Sequence, residues 1–184
     1  MRILGPVRER VVDVGPVREG VVDVGPVREG VVDIGLISDT HGLVRAEALA
    51  ALAGVAHVVH AGDVGGAHVL EALARVAPVT TVRGNNDFGA WADGLPETAR
   101  VTIARARILV LHDAHELAGR ALDDIDVVVA GHSHRPLIER RDGLLHVNPG
   151  SAGPRRFRLP IALARLSVGP HGIAARIVDL APGA

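Results

Sequence analysis

The 184-residue chain contains no cysteine, no lysine and no tyrosine, and its aromatic side chains are Phe88, Trp91 and Phe157 alone. Without cysteine there are no disulfides, no thiolate zinc sites and no sulfur nucleophile. Without lysine there is neither a Walker A lysine to reach a nucleotide's phosphates nor a Schiff base; all 20 basic residues are arginine. Three aromatics do not build a stacking platform for single-stranded nucleic acid, and a net charge of −1 leaves no footprint for a polyanion. No run reaches the roughly 18 apolar residues of a membrane span; the richest stretch, 48–59, is broken by Gly54 and His57. Arg2 precedes no long apolar run, so no secretory signal is expected and the cytoplasm is the expected location. Histidine, by contrast, is plentiful: ten residues, several in short motifs.

The first 34 residues hold three copies of a ten-residue unit, GPVRERVVDV at 5–14, GPVREGVVDV at 15–24 and GPVREGVVDI at 25–34. Common repeat folds use units of roughly 20–50 residues, so these are too short to be one of them. Each copy reads as a Gly-Pro turn, a charged Arg-Glu pair and a short β-branched run. Copies this alike read as a recent tandem duplication or as upstream sequence drawn in by a misplaced start. Residues 1–30 are therefore expected to be a disordered tail or start-site extension, and residues 31–184 one domain. The third copy runs into Gly35-Leu36-Ile37-Ser38 and is expected to open the first true strand. The first two carry nearly the same apolar run and could compete for that edge or pair with a neighbouring molecule.

From Val31 the pattern alternates. Strand-like runs at 31–38, 56–61 and 79–82 are separated by Ala- and Leu-rich stretches at 45–53 and 67–77. In the second stretch Val69, Leu70, Leu73 and Val76 recur at helical spacing. The result is a βαβαβ order, which implies parallel strands with right-handed crossovers. After Gly84 come seven apolar runs, at 100–104, 107–111, 126–130, 137–140, 144–147, 161–168 and 173–180, mostly joined by turns. One helical turn is expected around 116–124, and the turn-linked strands predict meander pairing. The expected fold is α/β: two packed sheets with helices outside, a four-layer αββα sandwich.

Ligands of open α/β sheets sit beyond the carboxyl ends of parallel strands. Five apolar runs end in polar clusters: Asp39-Thr40-His41, Gly62-Asp63, Gly84-Asn85-Asn86-Asp87, His112-Asp113 and Gly131-His132-Ser133-His134. Each alone could be a turn or cap. Recurring in one context, they deliver Asp39, His41, Asp63, Asn85, His112, His132 and His134 to one edge. His57, His68, His146 and His171 are expected at the surface or in the core, and His60 as a packing or supporting residue. Imidazole, carboxylate and amide oxygen without thiolate suit Mn, Fe, Zn, Ni or Co. Seven donors exceed what one catalytic ion needs and suit two sharing a carboxylate. Two ions roughly 3.5–4 Å apart clamp both oxygens of an in-line phosphoryl displacement, although such a pair also serves amide hydrolysis.

The ordered set Asp39-x-His41, Gly62-Asp63, Gly84-Asn85-x-Asp87, His112 and Gly131-His132-x-His134 resembles the calcineurin-like metallophosphoesterases. The short length and Asn148-Pro149-Gly150-Ser151 are similar to the small bacterial and archaeal phosphodiesterase branch, over roughly residues 34–180. The resemblance implies that Asp39, His41 and His134 hold one metal, that Asn85, His112 and His132 hold a second, and that Asp63 bridges them. It implies two divalent transition metals, with manganese first and Ni, Fe, Zn or Co as substitutes. It also implies a hydrolase that opens a P–O bond by attack of a metal-bridged hydroxide, a phosphodiester being the favoured substrate over a monoester. Asp63, Asn85, Asn86 and Asp87 are the expected catalytic residues, and Asn85, Asn86 and Arg83 the expected substrate contacts.

Two departures stand out. Many members carry His where this chain has Asn86, an amide that cannot act as an acid near neutral pH; weaker turnover of substrates with poor leaving groups is expected. Asp113 stands where Gly commonly follows the histidine, and is read as an acceptor orienting a ligating imidazole or as a turn residue. His115 lies close enough in sequence to be a substitute ligand. Arg45, Arg135 and the cluster Arg155-Arg156-x-Arg158 are candidate phosphate handles. The segment 148–151 is expected to brace the site floor, and the loops 86–96 and 153–160 to shape the pocket with Phe88, Trp91 and Phe157 as an apolar wall. The expected partner is a small phosphoester; neither membrane nor nucleic acid is indicated, and homo-oligomerisation is left open. The alternative is a non-catalytic protein-interaction scaffold, as the retromer subunit of this fold shows that the fold does not guarantee turnover.

Overall fold

The computed structural model describes residues 20–22 and 30–181. Along them run β1 (Gly20–Val22), β2 (Val32–Ile37), α1 (Ala46–Ala51), β3 (His57–His60), α2 (Ala67–Ala74), β4 (Val79–Thr81), β5 (Thr98–Ile103) and β6 (Ala106–Leu111). A 3-10 turn (Ala114–Leu117) follows, then β7 (Val127–Ala130), β8 (Leu137–Arg141), β9 (Leu144–Asn148), β10 (Ala162–Gly169) and β11 (Gly172–Asp179). Two sheets form, in the orders β1-β5-β6-β7-β9-β8 and β11-β10-β2-β3-β4.

The expected parallel first half is present: β2 pairs parallel with β3, and β3 with β4. These strands read as continuous apolar runs because both faces are covered. On the inner face Ile34, Leu36 and Val59 meet Ile103, Ile108, Val110, Val127 and Val129 of the other sheet. On the outer face Ile37, Val58 and Leu163 meet Leu52 after α1 and Val69, Leu70 and Leu73 of α2. Each such buried aliphatic side chain contributes about 1.5–3 kcal/mol. The outer face of the larger sheet is thinner: Leu109, Leu111 and Val128 are covered by Leu117, Leu122 and Ile125. The fourth layer is thus a 3-10 turn at 114–117 and a loop, where a helical turn was expected over 116–124.

Meander pairing holds for the hairpins β5–β6, β8–β9 and β10–β11. It fails for β6–β7 and β7–β9, which are parallel. Residues 112–126 are long enough to carry the chain back over the sheet, which a hairpin turn is not. The last hairpin returns to the smaller sheet, where β10 lies antiparallel to β2. In the repeats, β2 begins in the third copy, and residues 20–22 of the second copy pair parallel with β5, Gly20 opposite Val101 and Val22 opposite Ile103. The rest of the expected tail, residues 1–19 and 23–29, lies outside the described residues.

Candidate metal centre

The topology brings five strand ends together. Asp39, Asp63 and Asn85 follow the parallel strands β2, β3 and β4 of one sheet, and His112 and His132 follow the parallel strands β6 and β7 of the other. Glycines allow the close approach. A Cβ on Gly62 would stand 2.7 Å from His112 Nδ1, and one on Gly84 would overlap the Asp63 backbone and carboxylate. The backbone itself aims the donors. Asp39, His41, Asp63, His132 and His134 all have positive φ, between 47° and 64°. Left-handed backbone is uncommon outside glycine and costs about 1 kcal/mol or more, although Asp and His tolerate it better than most residues. Such strain concentrates at functional sites.

Asp39, His41 and His134 converge as one group of donor atoms, and Asp39, Asp63 and His112 as another. In the first, His134 Nε2 lies 3.2 Å from Asp39 Oδ1 and 3.4 Å from His41 Nε2. Asp39 Oδ2 accepts from the Ser38 hydroxyl at 2.7 Å and from the His132 N–H at 3.1 Å. Its Oδ1 is buried and accepts no hydrogen bond. Burial pushes the Asp39 carboxyl up to about 6, against the Ser38 hydrogen bond. Burial also lowers both imidazoles, His134 to about 4 with the Arg156 charge assisting. Neutral imidazole is the ligating form. A buried carboxylate oxygen without a donor, facing two neutral imidazole nitrogens, fits a divalent cation.

Around Asp63 and Asn85 the donors are as close. Asn85 Oδ1 lies 3.0 Å from His112 Nε2 and 2.9 Å from His132 Nδ1. Asp63 Oδ2 lies 3.5 Å from His112 Nε2 and 3.8 Å from His41 Nε2, between the two groups. Burial opposes charge on both Asp63 and His112, and their mutual hydrogen bond overrides it. His112 is pushed up to about 9, helped by the Ala61 carbonyl, and Asp63 sits well below the usual carboxylate range, helped by Asn86. The 2.7 Å contact between His112 Nδ1 and the Ala61 carbonyl turns Nε2 towards the cluster.

Residues 32–169 match the calcineurin-like phosphoesterase superfamily domain. The chain belongs to that superfamily. A probable metallophosphoesterase of Methanothermobacter thermautotrophicus is 32% identical over 138 residues, covering 68% of this chain and 80% of the relative. In fold, the chain is similar to an archaeal phosphodiesterase (TM-score 0.68, 22% identity, covering 80% of this chain and 100% of the other). It is also similar to vacuolar protein sorting 29 of Cryptosporidium parvum (TM-score 0.70, 21% identity, 85% and 95% covered). The two-sheet sandwich is the metallophosphoesterase fold, and the family is one of metal-dependent phosphoester hydrolases.

In this phosphoesterase several residues sit differently from expectation. Asp87, expected among the catalytic residues, spends its carboxylate on the backbone N–H groups of Val64, Gly65 and Gly84 at 2.8–3.1 Å. These bonds brace the segments at 64–65 and 84 beside the cluster. Asn86 donates from Nδ2 to Asp63 Oδ2 at 2.7 Å and from its backbone to Oδ1 at 2.8 Å, so it orients the carboxylate. Arg83 lines a cleft of about 280 Å³ with Asn85, His112 and His132, but its guanidinium is paired with Glu97 at 2.9 Å. Arg45, a candidate phosphate handle, donates to the carbonyls of Ala152 and Gly153 and anchors that loop. Asp113 caps the 3-10 turn by accepting from His115, with its other oxygen 3.8 Å from His132 Nε2.

The segment 148–151 does brace the floor. Asn148 Nδ2 donates to the Gly131 carbonyl at 2.7 Å, and Ser151 Oγ donates to the Asp39 carbonyl at 2.9 Å. His60 is fully buried against the Thr40 hydroxyl, 2.9 Å away, a supporting position as expected. Trp91 packs on the helix-side core, whereas Phe88 and Phe157 are 72% and 92% exposed. No helix among the described residues is long and apolar enough to cross a membrane.

Proposed function

We propose that the chain hydrolyses phosphodiesters with two divalent transition-metal ions, manganese first among Mn, Ni, Fe, Zn and Co. The observation that carries this reading is the convergence of two donor groups, Asp39–His41–His134 and Asp39–Asp63–His112, at one edge of the sandwich, with Asp63 Oδ2 3.8 Å from His41 Nε2 and 3.5 Å from His112 Nε2. Asp39, His41 and His134 would hold one ion, Asn85, His112 and His132 the other, and Asp63 both. Ions there would place positive charge against the phosphoryl oxygens and acidify water into a nucleophile at neutral pH. The chain's own groups prepare that site. Ser38 and the His132 N–H occupy one oxygen of Asp39 so that the other faces inward. Asn86 fixes the plane of the Asp63 carboxylate, and the side-chain N–H of Asn85 would donate to a phosphate oxygen. Diester is preferred over monoester because the chain shares its fold with an archaeal phosphodiesterase.

The test is metal content with activity. Protein purified without chelator should carry close to two transition-metal ions and cleave an aryl phosphodiester with stimulation by Mn²⁺. Asp63→Asn should lower metal content and cut turnover by about a thousandfold or more. Unchanged activity in that variant would overturn the mechanism. Bound metal without turnover on diester or monoester would favour the scaffold reading, to which the fold shared with vacuolar protein sorting 29 also belongs.

A further inference from the structure

The site has a cation that the ligand scheme above does not use. Asn86 has tied one N–H of its side-chain amide to Asp63, and the amide has no charge to offer a phosphoryl oxygen. Arg83 is paired with Glu97, and Arg45 is committed to two carbonyls. Arg156 differs from both. Its Nη2 lies 3.3 Å from His41 Nε2, a nitrogen of the first donor group.

The loop that presents Arg156 is built outward. Residues 154–158 are all exposed. Arg156 opens a tight turn closed by the Leu159 N–H on the Arg156 carbonyl at 3.1 Å. Phe157, the next residue in that turn, has φ of 53°, a conformation a bulky side chain seldom adopts. With its side chain 92% exposed, packing returns little for the strain. Arg45 pins the root of the same loop at Ala152 and Gly153. A rigid root and a strained tip thus hold a guanidinium against the donor cluster.

A guanidinium beside a metal ligand is repelled by an ion bound there, unless an anion lies between them. Phosphate is such an anion, and the flat fork of arginine matches two of its oxygens. We propose that Arg156 is a catalytic residue of this phosphoesterase, binding a non-bridging oxygen of the substrate's phosphoryl group and stabilising the charge that builds there. It supplies from the 153–160 loop the positive charge that Asn86 cannot supply from the 84–87 loop. The assignment rests on the phosphoesterase reading above.

The test uses the full chain loaded with Mn²⁺, as wild type, Arg156→Ala and Arg156→Lys. Metal content, the affinity for inorganic phosphate by calorimetry, and kcat and KM on an aryl phosphodiester are measured. Arg156→Ala is expected to keep its metal, lose about tenfold in phosphate affinity and lose about a hundredfold in kcat/KM, mostly in kcat. Arg156→Lys should recover much of the phosphate affinity and little of kcat, because lysine keeps the charge but not the fork. Unchanged phosphate affinity and kinetics in Arg156→Ala would overturn the assignment. So would tighter metal binding with unchanged turnover, which would make Arg156 only a repulsive neighbour of the ion. If the wild type cleaves no phosphoester, the hydrolase reading falls. Phosphate calorimetry then still decides whether Arg156 holds a phosphoryl group.

Discussion

The two donor groups share one edge of the sandwich but differ in depth. Asp39 and His134 are almost wholly buried, with side chains 0% and 9% exposed, whereas the His132 side chain is 44% exposed beside the cleft. In the first group one carboxylate oxygen, Asp39 Oδ1, is buried without a donor, and burial lowers the imidazoles. In the second, an amide oxygen sits between two imidazoles within reach of solvent. Depth decides how strongly a cation is wanted, because an uncompensated carboxylate is costly only where water is absent. On the reading proposed above, an ion of the buried group would be held more tightly than one beside the exposed His132.

The strongest way to break that comparison is Asp39→Ala. It should release the ion of the buried group and lower diester hydrolysis by about a thousandfold; activity within tenfold of wild type would erase the distinction. His132→Ala, on the open side, should cost about ten- to a hundredfold, with partial recovery as Mn²⁺ is raised. Recovery of the Asp39 variant and not of the His132 variant would reverse the assignment of depth. Asn148→Ala removes hydrogen bonds to the Gly131 carbonyl, Ser133 Oγ and the Gly150 N–H. It should lower stability by about 2–3 kcal/mol in urea denaturation, and activity with it, since the 131–134 loop carries a donor for each group.

The smallest effect is a control far from the cluster. His57 is buried with Nε2 2.9 Å from the Thr80 hydroxyl, and burial lowers it to about 4. A histidine lowered on folding contributes stability that is complete above its unfolded value near 6.5 and is lost as pH falls towards 4. His57→Gln should flatten the urea midpoint between pH 7 and pH 5 by about 1–2 kcal/mol. An unchanged slope would place the acid sensitivity at the other histidines that burial lowers, His41, His60, His134 and His146.

The strand ends were readable because each donor directly follows an apolar run, so the seven residues could be named before their distances were known. The parallel pairing of β6 with β7 was not, because a single helical turn expected around 116–124 does not announce a crossover and short apolar runs do not state their direction. The brace at Asp87 was not legible for a local reason: a carboxylate after Gly84 and Asn85 fits a site residue as well as a loop brace, and its three backbone donors appear only in the fold. Arg156 was one of several arginines in the sequence. What separates it is the nearness of Arg156 Nη2 to His41 Nε2, 115 positions away along the chain.

Of the eight non-glycine residues with positive φ among those described, five are donors of the cluster. The fold would be more comfortable with glycine at His41, His132 or His134. A descendant released from holding metal would drift towards that comfort, gaining heat resistance as it lost the imidazoles. Whether a related chain is still a hydrolase or has become a docking platform is therefore written at these positions twice, in the side chain it keeps and in the backbone angle it tolerates.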